Sequence, residues 1–259
     1  MKEQLKVSIL QSNIFWEDKL ANLKYFEKKI DKISQTDLIV LPEMFTTGFT
    51  MNPEPLAETM DGKTVNWMLD LASEKKSLIV GSVIIEDDSY YYNRLIAAFP
   101  NGTLQYYDKR HLFTLANEHQ HYTAGTDQLL INYKGWKIFP LICYDLRFPV
   151  WARNTVNYDV LIYIASWPKI RIAAWDTLLK ARAIENMCYT IGVNRVGVDD
   201  NQFEYPGHSV ILDAFGNEIL TTKENQEEIG SVILDKNSLI DVRNKLQFLN
   251  DRDSFKFKK

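Results

Sequence analysis

The chain has 259 residues, of which 46% are hydrophobic and 25% charged, and its formal net charge is −4 at pH 7. This composition is typical of a soluble globular protein, and the weak negative charge provides no basic field that would favour nucleic acid. The apolar runs are far shorter than the roughly 20 residues that span a bilayer, and the first residues lack the apolar core of a signal peptide. The sequence therefore predicts a cytoplasmic protein that binds neither nucleic acid nor membranes.

Hydrophobic periodicity and turn signals predict alternating strands and helices, then a run of strands, then alternation again. In chain order the predicted elements are strand 6–11, helix 16–33, strand 37–41, helix 64–74, strands 77–85, 90–99, 103–107, 129–133 and 136–143, helix 149–155, strand 160–165, helix 175–186, and strands 189–196, 208–212, 218–220 and 229–234. Because no linker or repeat divides them, this order predicts one α/β domain over residues 1–240, with two sheets between helices; periodicity alone also allows a three-layer sandwich. Residues 241–259 are polar and are predicted to form a C-terminal arm.

The chain contains two cysteines, Cys143 and Cys188. Two thiols in a chain of this size do not indicate a disulfide framework. Cys188 lies inside an apolar strand and is predicted to be a small core residue. Cys143 ends an apolar strand, and polar residues follow at once, so its thiol can point from the edge of a sheet into a cleft. Cys143 is therefore the candidate nucleophile.

Two other segments place a charged residue at the end of a strand. Glu43 follows residues 38–42, where a partly desolvated carboxylate can act as a base, although a solvated loop acid is the alternative. Lys109 follows the strand that ends near residue 107. An ammonium group there can stabilise an oxyanion together with a backbone N–H, and it would also favour the thiolate of Cys143. Taken alone, Lys109 would be interpreted as one more surface lysine.

Histidines leave two further possibilities open. A papain-like Cys–His pair would use a histidine as base, but no local signature of such a family surrounds Cys143. A zinc site could be built from Glu118 and three histidines, although the spacing matches no established site and the sequence predicts no metal. The histidines concerned are His111, His119 and His121, with His208 as the fourth in the chain.

Three motifs in order resemble the nitrilase superfamily of carbon–nitrogen hydrolases. They are Leu-Pro-Glu-Met-Phe at 41–45, Tyr-Asp-Lys-Arg-His-Leu at 107–112 and Ile-Cys-Tyr-Asp-Leu-Arg-Phe-Pro at 142–149. The resemblance covers nearly the whole chain and implies a four-layer α-β-β-α sandwich, a homodimer and catalysis without a cofactor. It also implies a site in which Glu43 is the base, Lys109 the oxyanion-stabilising cation, Cys143 the nucleophile and the N–H of Tyr144 an oxyanion donor. Glu118 matches a second glutamate of the superfamily, which positions the lysine.

Several details are similar to the omega-amidase branch, namely segments 43–49, 109–113, 118–122 and 166–171. This similarity implies hydrolysis of the terminal amide of 2-oxoglutaramate or 2-oxosuccinamate to ammonia and a 2-oxo dicarboxylate. The alternatives are another amidase, a nitrilase or a carbamoylase of the superfamily, or a catalytically silent member that acts as a binding partner.

Such a substrate carries a carboxylate, so its pocket needs a cation. The sequence predicts that Arg171, or Lys169, supplies this cation. Arg147 is instead expected to pair with Asp145 or Glu185 and to support the turn at the nucleophile. The predicted apolar walls of the pocket are Phe45, Phe113, Tyr144 and Trp167.

Overall fold

The computed structural model describes residues 3–257, which form the predicted succession of strands and helices together with two strands (Val196–Val198 and Glu204–Pro206) and two α-helices (Glu118–His121 and Lys236–Leu246) that were not predicted. The strands are β1 (Gln4–Gln11), β2 (Leu38–Val40), β3 (Leu78–Asp87), β4 (Tyr90–Ala98), β5 (Leu104–Asp108), β6 (Ile131–Tyr133), β7 (Trp136–Ile142), β8 (Val160–Ala165), β9 (Tyr189–Asn194), β10 (Val196–Val198), β11 (Glu204–Pro206), β12 (Val210–Leu212), β13 (Glu218–Thr221) and β14 (Glu228–Asp235). The α-helices are α1 (Lys19–Ile30), α2 (Lys63–Lys75), α3 (Glu118–His121), α4 (Pro149–Ala152), α5 (Ile172–Asn186) and α6 (Lys236–Leu246). Among these residues, no helix is long and apolar enough to cross a membrane.

The strands form two mixed six-stranded sheets of similar design. The first sheet has the order β14-β1-β2-β3-β4-β5, and the second has the order β13-β12-β9-β8-β7-β6. In each sheet three central strands run parallel, β1-β2-β3 in one and β7-β8-β9 in the other, and the flanking strands pair antiparallel. Parallel neighbours present their carboxyl ends at the same edge of a sheet. Residues that follow β2 therefore lie at this edge of the first sheet, and residues that follow β7 lie at this edge of the second.

Side-chain alternation along the strands separates two apolar layers. In β2, Leu38 and Val40 belong to the large core between the sheets, whereas Ile39 belongs to a second core with Phe26 of α1 and Met68 of α2. Helix α5 covers the other face of the second sheet. The layers are therefore helix, sheet, sheet, helix, which confirms the predicted four-layer α/β sandwich.

Helix boundaries differ from the predicted ones where capping, rather than periodicity, sets the end. Helix α1 begins at Lys19 because the Asp18 carboxylate accepts a hydrogen bond from the N–H of Ala21 at 2.9 Å. The predicted strand 189–196 is in fact β9 and β10, with Arg195 between them, and β10 pairs with the unpredicted strand β11.

The C-terminal segment lies on the domain. Helix α6 crosses the predicted boundary at residue 240, and its Leu239 is buried. Beyond it, the Arg252 guanidinium donates to the carbonyl of Asn154 at 2.9 Å, and the ring of Phe257 packs on Trp151 with centroids 4.9 Å apart. Residues 258 and 259 lie outside the described range.

Candidate active site

Glu43, Lys109 and Cys143 meet at the edge where their strands end. The Nζ atom of Lys109 lies 2.9 Å from Oε1 of Glu43, and both side chains are completely buried. The thiol of Cys143 is close enough to both for the charges of Glu43 and Lys109 to act on its pKa. The acid, the amine and the thiol therefore form one cluster, and Glu43 is not a solvated loop acid.

Both oxygens of Glu43 are engaged by donors. Oε1 accepts from Lys109 and from the side-chain amide of Asn93 at 2.8 Å, and Oε2 accepts from the N–H of Ser166 at 2.8 Å. The turn after Glu43 is fixed to β3, because the N–H of Met44 donates to Oγ of Ser82 at 2.8 Å. The carboxylate is thus held by donors from three different elements.

Glu118, at the start of α3, lies on the other side of Lys109. Its two carboxylate oxygens are each 2.9 Å from Nζ of Lys109, and Oε2 also accepts from the N–H of Phe113 at 2.5 Å. Burial of Lys109 would lower its pKa, but the charges of Glu118 and Glu43 outweigh burial, so the pKa is raised. Lys109 therefore remains an ammonium ion between two carboxylates.

Cys143 lies in a strained turn between β7 and a 3-10 helix, Cys143–Arg147, and its φ is +45°. The buried carboxylate of Asp145 holds this turn, accepting from the N–H of Ile142 at 3.0 Å and from the hydroxyl of Tyr107 at 2.7 Å. The backbone N–H of His111 donates to the same carboxylate at 3.0 Å. Strain at the nucleophile is thus stabilised by a network that joins β5, β7 and the loop after β5.

The thiol of Cys143 is a weak acid in this site. Burial is the largest cause that raises its pKa well above the usual value, and the charge of Glu43 adds to it. Lys109 favours the thiolate, as predicted, but its effect is outweighed. Cys143 therefore rests as a thiol, and any reaction that uses its thiolate needs a base to take the proton.

A cavity of about 660 Å³ opens above Cys143. Of the five predicted substrate-binding residues, four line it: Phe113, Tyr144, Trp167 and Arg171. The prediction for Phe45 is wrong, because its ring is completely buried against Phe26 and Trp67, with centroids 5.4 and 5.8 Å away. Space for the ring comes from Gly81, where a Cβ atom would lie 3.1 Å from it. Phe49, four residues later, lines the cavity instead.

Two guanidinium groups face the cavity. Arg171 is half-buried over the ring of Phe113, at 5.1 Å from its centroid, and Arg147 lies over Trp167 at the same distance. Within the described residues, neither forms an ion pair with a carboxylate. Lys169 is exposed and pairs with Glu204 at 2.7 Å, outside the cavity lining.

The expected pairing of Arg147 with Asp145 or Glu185 is wrong. Asp145 is occupied by donors from Tyr107 and His111, and Oε1 of Glu185 accepts from Arg182 at 2.8 Å. Because both acids have other partners, the guanidinium of Arg147 extends over Trp167 at the cavity wall.

The histidines are not grouped around Glu118. The Nδ1 atom of His111 lies 2.8 Å from Asp145, and the ring stacks on Phe148 with centroids 3.7 Å apart. His119 and His121 are exposed on α3. In residues 3–257, no three His, Cys, Asp or Glu side chains are arranged to hold a metal ion.

Several residues of the site were not predicted from the sequence. Asn93 contacts both glutamates, and Ser166 binds Glu43 through its backbone. A polar asparagine in the apolar run of β4 was a usable signal for the first. The hairpin β10–β11 also contributes wall residues, among them Asp199, Phe203 and Tyr205, and no motif marks this hairpin in the sequence.

Comparison with known proteins shows the family to which the chain is similar. The family described as carbon-nitrogen hydrolase matches residues 6–244. The chain is 43% identical over 252 residues to omega-amidase YafV of Escherichia coli K12, covering 97% of this chain and 98% of the relative. It is 35% identical to 2-oxoglutaramate amidase of Bacillus subtilis, covering 95% and 96% of the two chains.

One solved structure is similar to the chain in both fold and sequence. XC1258 from Xanthomonas campestris, described as a CN-hydrolase superfamily protein with an arsenic adduct in the active site, superposes with a TM-score of 0.97. The two are 41% identical over 99% of this chain and 100% of the other. With its acid–amine–thiol cluster at the strand ends and a family match over nearly its full length, the chain belongs to the carbon–nitrogen hydrolase family.

Proposed function

We propose that the protein is an omega-amidase, which hydrolyses the terminal amide of a small 2-oxo acid such as 2-oxoglutaramate or 2-oxosuccinamate. The main supporting observation is the cluster of Cys143 with the buried Glu43 and Lys109, at the base of a cavity whose walls carry two guanidinium groups. The names of the relatives from Escherichia coli and Bacillus subtilis support the same substrate class.

In the proposed reaction Glu43 takes the proton of Cys143, and the sulfur attacks the amide carbon. Lys109 and the backbone N–H of Tyr144 stabilise the oxyanion. The C–N bond breaks, and Glu43 returns the proton to the leaving nitrogen, which departs as ammonia. A water molecule, deprotonated by Glu43, then hydrolyses the thioester, so that the acid product and the thiol are released without a cofactor.

Glu118 is proposed to position Lys109 rather than to transfer protons. Its two oxygens lie at equal distances from the ammonium group, and the N–H of Phe113 fixes the carboxylate. Arg171 is proposed to bind the substrate carboxylate, because its guanidinium is half-buried at the cavity wall and free of acidic partners among the described residues. Phe113, Tyr144 and Trp167 would enclose the carbon chain.

The first test is ammonia release from 2-oxoglutaramate by the purified protein. Cys143→Ala should lower the rate by more than about 1,000-fold, since the nucleophile is lost. Cys188→Ala is the matched control: this buried thiol contacts Thr190 in the core and should leave kcat within about threefold.

Failure of the wild type to release ammonia would refute the proposed substrate. If Cys143 were nevertheless alkylated, other amides, nitriles and ureides would become the next substrates to assay. Release by Cys143→Ala at the wild-type rate would refute the proposed nucleophile.

We further propose a cytoplasmic homodimer, as the family resemblance implies. The supporting observations are the bacterial origin of the relatives and the apolar side chains exposed on the surface, including Val150, Ile184 and Phe248.

A further inference from the structure

Asn93 joins the two carboxylates of the candidate active site. Its side chain is completely buried in β4, and its Nδ2 atom donates to Oε1 of Glu43 at 2.8 Å and lies 3.4 Å from Oε1 of Glu118. The amide must present its NH₂ group to this side, because both neighbours are acceptors. The backbone carbonyl of Asn93 also accepts from the N–H of Lys109 at 3.0 Å. Asn93 therefore contacts both carboxylates through its side chain and Lys109 through its backbone.

The charged groups around Asn93 carry an excess of negative charge. Glu43 and Glu118 flank a single ammonium group, so the ionised cluster is net negative in a buried space. Two carboxylates in a common site repel each other, and such a pair tends to bind a proton. The pKa of Glu118 is raised, mainly by burial, although Lys109 opposes this and Glu43 adds to it. A proton on Glu43 would prevent it from receiving the proton of Cys143.

We propose that Asn93 is a positioning residue that keeps Glu43 ionised and directed toward Cys143. Its amide is a neutral donor, so it stabilises the carboxylate without changing the net charge of the cluster. The other groups that face Glu43 are Lys109 after β5, Glu118 of α3 and Cys143 after β7, while Tyr122 and Tyr205 act at longer range. Of the side chains that donate hydrogen bonds to Glu43, Asn93 is the uncharged amide.

The test measures the reactivity of Cys143 against pH, in the presence and absence of an amide substrate. Asn93→Leu keeps the approximate volume and removes the donor, and Asn93→Ser is a smaller polar alternative if the leucine variant does not fold. Loss of a hydrogen bond to a charged group should move the acid limb of kcat/KM upward by about one pH unit. At a pH on that limb, alkylation of Cys143 by iodoacetamide should slow about tenfold, measured by mass spectrometry of its peptide.

Asn154→Ala is the matched control, since Asn154 is an equally buried asparagine whose side chain donates to the carbonyls of Tyr158 and Asn186. It should lower stability without moving the acid limb. A folded Asn93 variant with the wild-type limb and wild-type alkylation would overturn the proposal. The inference rests on the proposed cysteine chemistry, but alkylation needs no substrate. A wrong amide would therefore abolish turnover and leave the alkylation comparison intact.

Discussion

The thiol of Cys143 and the guanidinium of Arg171 have different roles in the proposed reaction. Burial and the neighbouring Glu43 raise the pKa of the thiol, so the nucleophile is released only when a base acts. The guanidinium of Arg171 instead lies over the ring of Phe113, and this stacking leaves its edge available for hydrogen bonds. Chemistry and substrate recognition therefore depend on different charged groups, which can be tested separately.

Replacement of Arg171 by alanine should raise KM for 2-oxoglutaramate by about 10- to 100-fold, because a charge-assisted hydrogen bond is lost. KM for a neutral amide of similar length should change little. Lys169→Ala is the control, since Lys169 belongs to the same short helix but pairs with Glu204. Steady-state kinetics on both substrates make the comparison, and equal effects of Arg171→Ala on the charged and neutral amides would exclude the proposed role.

The turn that carries the nucleophile is a separate structural unit, held by Asp145. Each oxygen of this carboxylate accepts two hydrogen bonds, with donors from Ile142, Tyr107 and His111. Asp145→Asn replaces one acceptor oxygen by an NH₂ group that faces existing donors. We expect the free energy of unfolding to fall by about 2–3 kcal/mol and kcat/KM by about 100-fold, as the strained turn relaxes.

A second aspartate–histidine pair provides the control for this prediction. Asp176 and His208 lie 3.1 Å apart, but both side chains are partly exposed. Asp176→Asn should therefore change stability by less than about 0.5 kcal/mol and leave kcat/KM within about twofold. Chemical denaturation and ammonia release measure both quantities. Similar effects of the two substitutions would show that Asp145 has no special role at the turn.

Residues at strand ends could be predicted from the sequence, whereas residues in turns could not. Glu43, Lys109 and Cys143 follow apolar strands, and strand periodicity together with the family motifs placed all three. Side chains in turns follow no such period. Met44 has a left-handed conformation, with φ at +44°, and the next residue, Phe45, packs into the second core beside Phe26. Phe49 lines the cavity instead. Turn geometry of this kind is set by tertiary contacts and is not visible in a pattern.

Long-range pairing was the other feature that local patterns did not reveal. Arg147 and Asp145 are close in sequence, yet Asp145 bonds with residues more than 30 positions away. The hairpin β10–β11 is short, and its strands of three residues each are too brief to produce a recognisable alternation. The four-layer sandwich was implied by the family resemblance, since the strand pattern predicted two sheets between helices but also allowed a three-layer arrangement.

Contacts with the rest of the chain continue beyond residue 240, the predicted end of the domain. Helix α6 begins at an Asp235 cap, and Arg243 on this helix donates to the carbonyls of Tyr158 and Met187. Of the residues that follow, Arg252 donates to the carbonyl of Asn154 and Phe257 packs on Trp151. We therefore expect the C-terminal segment to stabilise the chain to which it belongs.

Phe257→Ala should lower the free energy of unfolding by about 1 kcal/mol, because the edge-to-face contact with Trp151 is lost. Phe215→Ala, at a ring of similar exposure on the β12–β13 turn, is the control and should change it by less than about 0.5 kcal/mol. Denaturant unfolding gives the energies, and light scattering gives the molar mass at the same concentration. If Phe257→Ala instead lowered the molar mass and left monomer stability unchanged, the arm would be reaching a partner subunit, as the sequence alone also allows.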